Sequence, residues 1–181
     1  MEKILLITFT CLFLFSCAST GVIGNSTEVQ SEYDRFDNKT KYETPEVRLL
    51  RPGLFDEFMD ITNHRVDLKS SYRCDGEERC IPNQVIFSFS SQSNNWQYLY
   101  NSSLDMIING NRHDYGEIER VGLVGTGTVY ETLLFMMDLE TFYEFSEAEN
   151  IELRLGGDEL TLTPKELIVF KNMANFIKES E

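Results

Sequence analysis

The residues best suited to acid–base chemistry are the two histidines, and only His113 has an acid next to it. Asp114 follows His113 directly, and Asp138 lies further along the chain. An imidazole beside a carboxylate could act as the general base of a hydrolase, so these three residues are the candidate catalytic group. Neighbours on a strand point to opposite faces, however, and no Gly-x-Ser-x-Gly motif supplies a nucleophile. The pattern favours a protein that is not an enzyme, with an envelope hydrolase as the alternative.

A glycine-rich segment, Gly122 to Gly127, does not predict a phosphate-binding loop. It lacks the Lys-Ser/Thr pair of a P-loop, and no helix start follows it. We interpret it as a bulge or tight bend between two strands. The acidic segments 75–78 and 144–149 lack the Asp-x-Asp-x-Asp-Gly pattern of a calcium loop. We therefore predict neither a metal site nor a cofactor.

Three aromatic residues, Trp96, Tyr98 and Tyr100, alternate with other residues over a short stretch. Such alternation predicts that they project from one face of a short strand. If that face is exposed, the rings could form a platform for a carbohydrate or a peptide. The alternative is that they pack under a helix as part of the core.

Cys74 and Cys80 are separated by five residues that begin with the turn-forming pair Asp75-Gly76. No histidine lies near them to complete a zinc site, and redox pairs usually have two intervening residues. We therefore predict a structural disulfide across the turn of a hairpin. Such a bridge is typical of an oxidising compartment.

The N-terminus carries an apolar run from Ile4 to Phe15, behind Lys3. A run of this length is typical of a secretory signal and is too short for a permanent membrane span. Leu14, Ser16 and Cys17 follow the spacing −3, −1 and +1, which resembles the lipobox of bacterial lipoproteins. The resemblance covers the first seventeen residues. It implies that residues 1–16 are removed and that Cys17 receives lipid, including palmitate; an ordinary signal peptide is the alternative.

The stretch after Cys17 is rich in Ser, Thr and Gly, so residues 17–30 are predicted to be the lipidated cysteine and a flexible tether. Residues 31–181 have the length of one domain. Ala18 gives no Asp-type signal for retention in the inner membrane, so the lipobox resemblance implies the outer membrane. The predicted partners are the membrane, through the lipid on Cys17, and an envelope protein or a glycan.

The chain carries a formal net charge of −14. A surface this acidic repels phosphate backbones and anionic headgroups. The composition therefore argues against nucleic-acid binding and against electrostatic attachment to a membrane surface.

Hydrophobic periodicity predicts many short strands and two helices. The Asn109-Gly110 pair predicts a tight hairpin, and Thr163-Pro164-Lys165-Glu166 predicts a capped helix start. Segment 31–46 is expected to form an irregular strand or arm, and 54–61 is either a helical turn or a strand. The predicted strands are 47–50, 65–74, 85–90, 96–100, 104–108, 118–124, 126–137, 151–155 and a partner around Leu160; the predicted helices are 138–148 and 163–178.

Sequential hairpins followed by helices predict an α+β domain: a mainly antiparallel β-sheet with two C-terminal helices packed on one face. For such a domain with a lipobox, we expect a lipid-anchored envelope protein with a binding or structural role. A carrier that encloses a small apolar ligand between the sheet and the helices is a further alternative.

Overall fold

The computed structural model describes residues 27–50 and 64–180. The predicted signal peptide, Cys17, most of the predicted tether and segment 54–61 lie outside the described residues. The elements in chain order are strands β1 (Gln30–Asp34), β2 (Lys39–Glu43), β3 (Val47–Leu50), β4 (Arg65–Asp75), β5 (Gln84–Ser93), β6 (Ser103–Ile108), β7 (Asn111–Glu117), β8 (Glu119–Gly125) and β9 (Thr128–Asp138), helix α1 (Leu139–Ser146), strands β10 (Ile151–Leu155) and β11 (Asp158–Leu162), and helix α2 (Pro164–Lys178).

The strands form two antiparallel sheets, so the α+β class expected from the sequence is confirmed. Sheet A has the order β1-β2-β4-β5-β9-β8, with β3 paired to the first part of β4. Sheet B has the order β11-β10-β6-β7. The segment expected to be an irregular arm is the regular β1–β2 hairpin at one end of sheet A. At the other end lies β8, which pairs with β9.

Both helices begin where the sequence predicts. The Asp138 carboxylate accepts a hydrogen bond from the Thr141 backbone N–H at 2.9 Å and so caps α1. Thr163 and Glu166 form a capping box at the start of α2, where the Glu166 carboxylate accepts from the Thr163 N–H at 2.8 Å. These bonds satisfy donors that the first helical turn would leave unpaired.

One continuous core joins the sheets and the helices. Alternation along β4, β5 and β9 turns the apolar row of each strand to the inner face of sheet A and leaves a wetted outer face. At the centre, the fully buried ring of Phe87 lies 5.0 to 5.9 Å, between centroids, from the rings of Phe135, Phe142, Phe145 and Phe170. Tyr115 of sheet B also contacts Phe135.

The predicted disulfide joins Cys74, near the end of β4, to Cys80 in the connection to β5. β4 and β5 pair in register from Arg65↔Gln92 to Ser71↔Ile86. The bridge therefore staples the loop of this hairpin, as the Cys spacing predicts. Next to it, the Arg79 guanidinium stacks on the Phe176 ring at 3.8 Å and ties the loop to α2.

Candidate functional site

The candidate catalytic group does not assemble in the structure. His113 lies half-buried in β7, not in a loop, and its ring stacks toward Tyr115. Asp114 accepts the Gly116 N–H at 2.9 Å, and Asp138 caps α1. Across residues 27–50 and 64–180, no hydrogen bond or ion pair joins His113 to either carboxylate, and no group of three or more potential ligands could hold a metal ion. The pairing of His113 with Asp114 or Asp138 on which the hydrolase alternative depends is therefore not found among these residues.

The aromatic residues 96, 98 and 100 do not lie on a strand, so that prediction is wrong. They belong to the connection between β5 and β6. Their side chains do not share a face: Tyr98 is 1% exposed, Trp96 37% and Tyr100 95%. Three aligned rings for a sugar or a peptide are therefore absent from this connection, which we call the Trp96 loop (residues 94–102).

A buried carboxylate on sheet A holds the Trp96 loop. Glu131 lies on the inner face of β9 between buried Val129 and Leu133. Its carboxylate accepts the backbone N–H of Gln97 at 2.7 Å and that of Tyr98 at 3.2 Å. These bonds satisfy loop donors that have no strand partner, so the loop adopts a fixed path across the end of the sheet.

Tyr98 connects the Trp96 loop to sheet B. Its hydroxyl donates to Asp158 Oδ2 at 2.5 Å, at the start of β11. Gly156 leaves room for the ring, because a Cβ there would lie 3.1 Å from Tyr98 Cδ1 and 2.7 Å from the Asn101 carbonyl oxygen. Burial and the adjacent Asp158 raise the pKa of Tyr98 well above its ordinary value, so Tyr98 remains a donor. Glu131 and Tyr98 thus connect sheet A to sheet B through the Trp96 loop. We call this pair of residues the clamp.

His64 completes this polar cluster. Its Nε2 lies 3.5 Å from the Tyr98 hydroxyl oxygen and 3.8 Å from Asp158 Oδ2. Burial lowers the pKa of His64 below its ordinary value, and the nearby Asp158 and Glu131 only partly offset that effect. The imidazole is therefore neutral at neutral pH and acts as a packed polar group.

We expect the protein to lose stability as the pH falls from about 7.5 to about 5.5. The unfolded chain binds a proton at His64 more readily than the folded chain, so acidification favours unfolding. Stability from this group is fully present above the ordinary histidine pKa and is lost below it. Urea titrations at several pH values should show a flatter profile for His64→Gln, with His113→Gln as the control. Equal slopes in all three proteins would contradict the assignment.

Trp96 lies against β8 at Gly122, where any residue with a side chain would force the indole to move. A Cβ at Gly122 would lie 2.3 Å from Trp96 Cζ3, far inside a normal contact. The Arg120 guanidinium stands over the indole, 5.4 Å from the ring centroid, and its Nη1 lies 3.7 Å from Glu131 Oε1. The clamp thus positions one aromatic side chain on the inner face of β8.

β8 is an apolar strand and is the last strand of sheet A in the part of the chain that the structure describes. Val121, Leu123 and Val124 are 57%, 60% and 62% exposed. Val121 and Leu123 point to the outer face, where Leu123 lies opposite the exposed Tyr130 of β9, whereas Val124 shares the inner face with Trp96. The bend expected in the glycine-rich segment is confirmed: Thr126 and Gly127, both at positive φ, turn β8 into β9.

The other three strands at the ends of the two sheets are protected by charge. β1 carries Glu32 and Asp34, β11 begins with Asp158 and Glu159, and β7 carries several charged side chains. Charged side chains on end strands discourage pairing with other polypeptides. β8 has no charged residue between Val121 and Gly125. We call residues 119–125, with Trp96 on one face and Tyr130 on the other, the β8 edge.

Sequence reasoning missed Glu131 and Gly122, although both left a signal. The alternation of β9 places position 131 in the apolar row with Val129 and Leu133, so a carboxylate there must find buried partners. Gly122 interrupts an otherwise β-forming strand, which indicates a close approach by another group. Neither signal identifies the partner, because the Trp96 loop lies far away in sequence.

The apolar-carrier alternative finds no support in the centre of the core. Phe87 and the four phenylalanine rings around it occupy the space between sheet A and the helices that a carried ligand would need. Within the described ranges, no helix combines the length and apolar character that a membrane crossing requires. Comparison of the chain with protein-family models, with curated proteins and with solved structures found no match.

Proposed function

We propose that this chain is a lipid-anchored protein of the bacterial outer membrane that acts by binding another polypeptide, not by catalysis. The observation that carries the proposal is the β8 edge. Among residues 27–50 and 64–180, no strand pairs with the outer side of its backbone, and Val121, Leu123 and Val124 are exposed. An extended segment can add to such an edge, where main-chain hydrogen bonds give affinity and the side-chain rows give specificity.

The proposed location rests on the N-terminal sequence and gains support from the disulfide. The lipobox resemblance of Leu14 to Cys17 implies a lipid anchor, and the Cys74–Cys80 bridge suits an oxidising compartment. Lipid chains contribute about 0.8 kcal/mol per buried CH2, so more than one chain on Cys17 would give stable attachment.

The anchor is tested by Cys17→Ala. We expect the wild-type protein to fractionate with membranes and to incorporate labelled palmitate, and the variant to lose the label. Cys11→Ala removes a thiol within the predicted signal peptide and is the matched control, which should behave as the wild type. Palmitate labelling and membrane association that persist in Cys17→Ala would show that the anchor assignment is wrong.

The binding edge is tested by photo-crosslinking in intact cells. A photoreactive amino acid at Val121 should form an adduct with a polypeptide, whereas the same group at Ile168, exposed on α2, should not. The Gly125↔Thr128 pair flanks a two-residue turn, so the backbone N–H of Val124 points away from β9. Val124→Pro removes that donor and should abolish the Val121 adduct if the donor pairs with the partner. A chain that forms no adduct at Val121, or equal adducts at both positions, would contradict polypeptide binding at the β8 edge.

A further inference from the structure

β8 can pair along its whole length with a second copy of itself in one antiparallel register. A two-fold axis that relates antiparallel strands of one sheet runs perpendicular to the sheet and passes between the two strands, where one residue pairs with its own copy. Gly122 is the midpoint of β8, and only an axis there pairs all seven residues, Glu119–Gly125. This arrangement also keeps the outer faces of both sheets on the same side.

The side chains that would meet in this register are compatible. Val121 lies opposite Leu123 of the second copy on the outer face, and the same contact is repeated across the axis. With Tyr130 of each copy beside them, these residues form one apolar cluster. Opposite pairs of apolar side chains are the main stabilising contacts between antiparallel strands.

The charges at the start of β8 also fit. Arg120 lies opposite Val124 of the second copy, and Glu119 lies opposite Gly125, so no like charges meet. An axis through Val121 would instead place Leu123 opposite Glu119, and an axis through Leu123 would leave Arg120 beyond the strand. The net charge of −14 opposes association, but β8 itself carries one acid and one base. Charges farther away are screened over about 8 Å at physiological ionic strength.

We propose that the occupant of the β8 edge is a second copy of this chain, paired antiparallel about Gly122, so that two copies of sheet A form one continuous sheet. This inference rests on the proposed function, which assigns the β8 edge as the binding site, and it names the partner. The two Trp96 rings, each lying on its own Gly122, then approach the axis from the inner faces. Attachment of both copies to one membrane raises their effective concentration, so a weak interface suffices.

The first test is disulfide trapping of the full chain in the envelope. Val121→Cys and Leu123→Cys are co-expressed with tags of different mass and compared with each variant alone. In the proposed register, positions 121 and 123 are direct opposites, whereas two copies of position 121 are diagonal neighbours, roughly 7–8 Å apart, at or beyond bridging reach. The mixed pair should give a covalent heterodimer at least about tenfold more abundant than either homodimer. Equal yields in all combinations, or no dimer, would overturn the proposal.

Two substitutions at Val124, one basic and one acidic, test the register, because they introduce charged side chains of opposite sign. Val124→Lys places a cation opposite Arg120 of the second copy, whereas Val124→Glu places an acid there. We expect the trapped heterodimer to be roughly fivefold more abundant with Glu than with Lys. Equal loss in both variants would overturn the Gly122-centred register, because a general loss of apolar surface affects both alike.

The photo-crosslink at Val121 separates this inference from the proposed function. An adduct of twice the mass of the chain supports the second copy. An adduct of any other mass retains polypeptide binding at β8 but overturns self-pairing. The lack of any adduct overturns both proposals.

Discussion

Replacing Glu131 with alanine should destabilise the fold by about 3–5 kcal/mol, because the change removes a buried carboxylate that pairs with two backbone donors and with Arg120. The N–H groups of Gln97 and Tyr98 would lose their acceptor, and Arg120 would lose its counter-ion. The free energy of unfolding from urea titration is the direct measurement. Glu131→Gln should cost less, because its amide oxygen still accepts one of these bonds.

The matched control is Glu119→Ala, which removes an exposed carboxylate from β8. Its effect should stay within about 0.5 kcal/mol. Trp96 is the single tryptophan, so its emission reports on the loop directly. We expect emission from the folded Glu131→Ala protein to shift toward that of an exposed indole. A loss of less than about 1 kcal/mol with unchanged emission would contradict the clamp that positions Trp96.

Phe87→Ala should be the second large effect, at about 3–5 kcal/mol. Phe87 is fully buried among four phenylalanine rings contributed by β9, α1 and α2. Removing its ring takes contacts from all of them and leaves a cavity that this packed centre cannot readily close.

Met136→Ala is the control for Phe87→Ala, because Met136 is an apolar residue on the exposed outer face of β9. Its effect on the free energy of unfolding should be within about 0.5 kcal/mol. Comparable losses in the two variants would show that the core is not centred on Phe87.

Local patterns predict most of the individual elements. The alternation along β4 and β5, the Asn109-Gly110 turn and the Thr163–Glu166 capping box each depend on residues close together in sequence. Their physical causes are side-chain period, positive φ and helix capping. For this reason the sequence specifies them without knowledge of the rest of the fold.

Contacts between distant segments explain what sequence reasoning missed. The alternating aromatics from Trp96 to Tyr100 have the period of a strand, but Glu131 and Asp158 draw their backbone and side chains into a loop. The division into two sheets depends on the pairing of β6 with β10, which are separated by four other elements. The spacing of apolar residues along a strand does not identify which distant strand it pairs with.

The exposure of the β8 edge also could not be predicted from the sequence. Its apolar residues look like those of any buried strand, and only the strand order places them at the end of sheet A. Exposure of Val121 and Leu123 is thus a property of topology. Large exposed apolar surfaces on end strands are usually avoided, which is why this one points to a binding role.

Amide hydrogen exchange of the full chain in envelope membranes tests the central claim most directly. The measurement compares β8 with β1, the end strand at the other side of sheet A, before and after dilution into detergent. We expect slow exchange in β8 in the membrane, fast exchange in β8 after dilution, and fast exchange in β1 under both conditions. Equally fast exchange in β8 and β1 in the membrane would contradict binding of a polypeptide along the β8 edge.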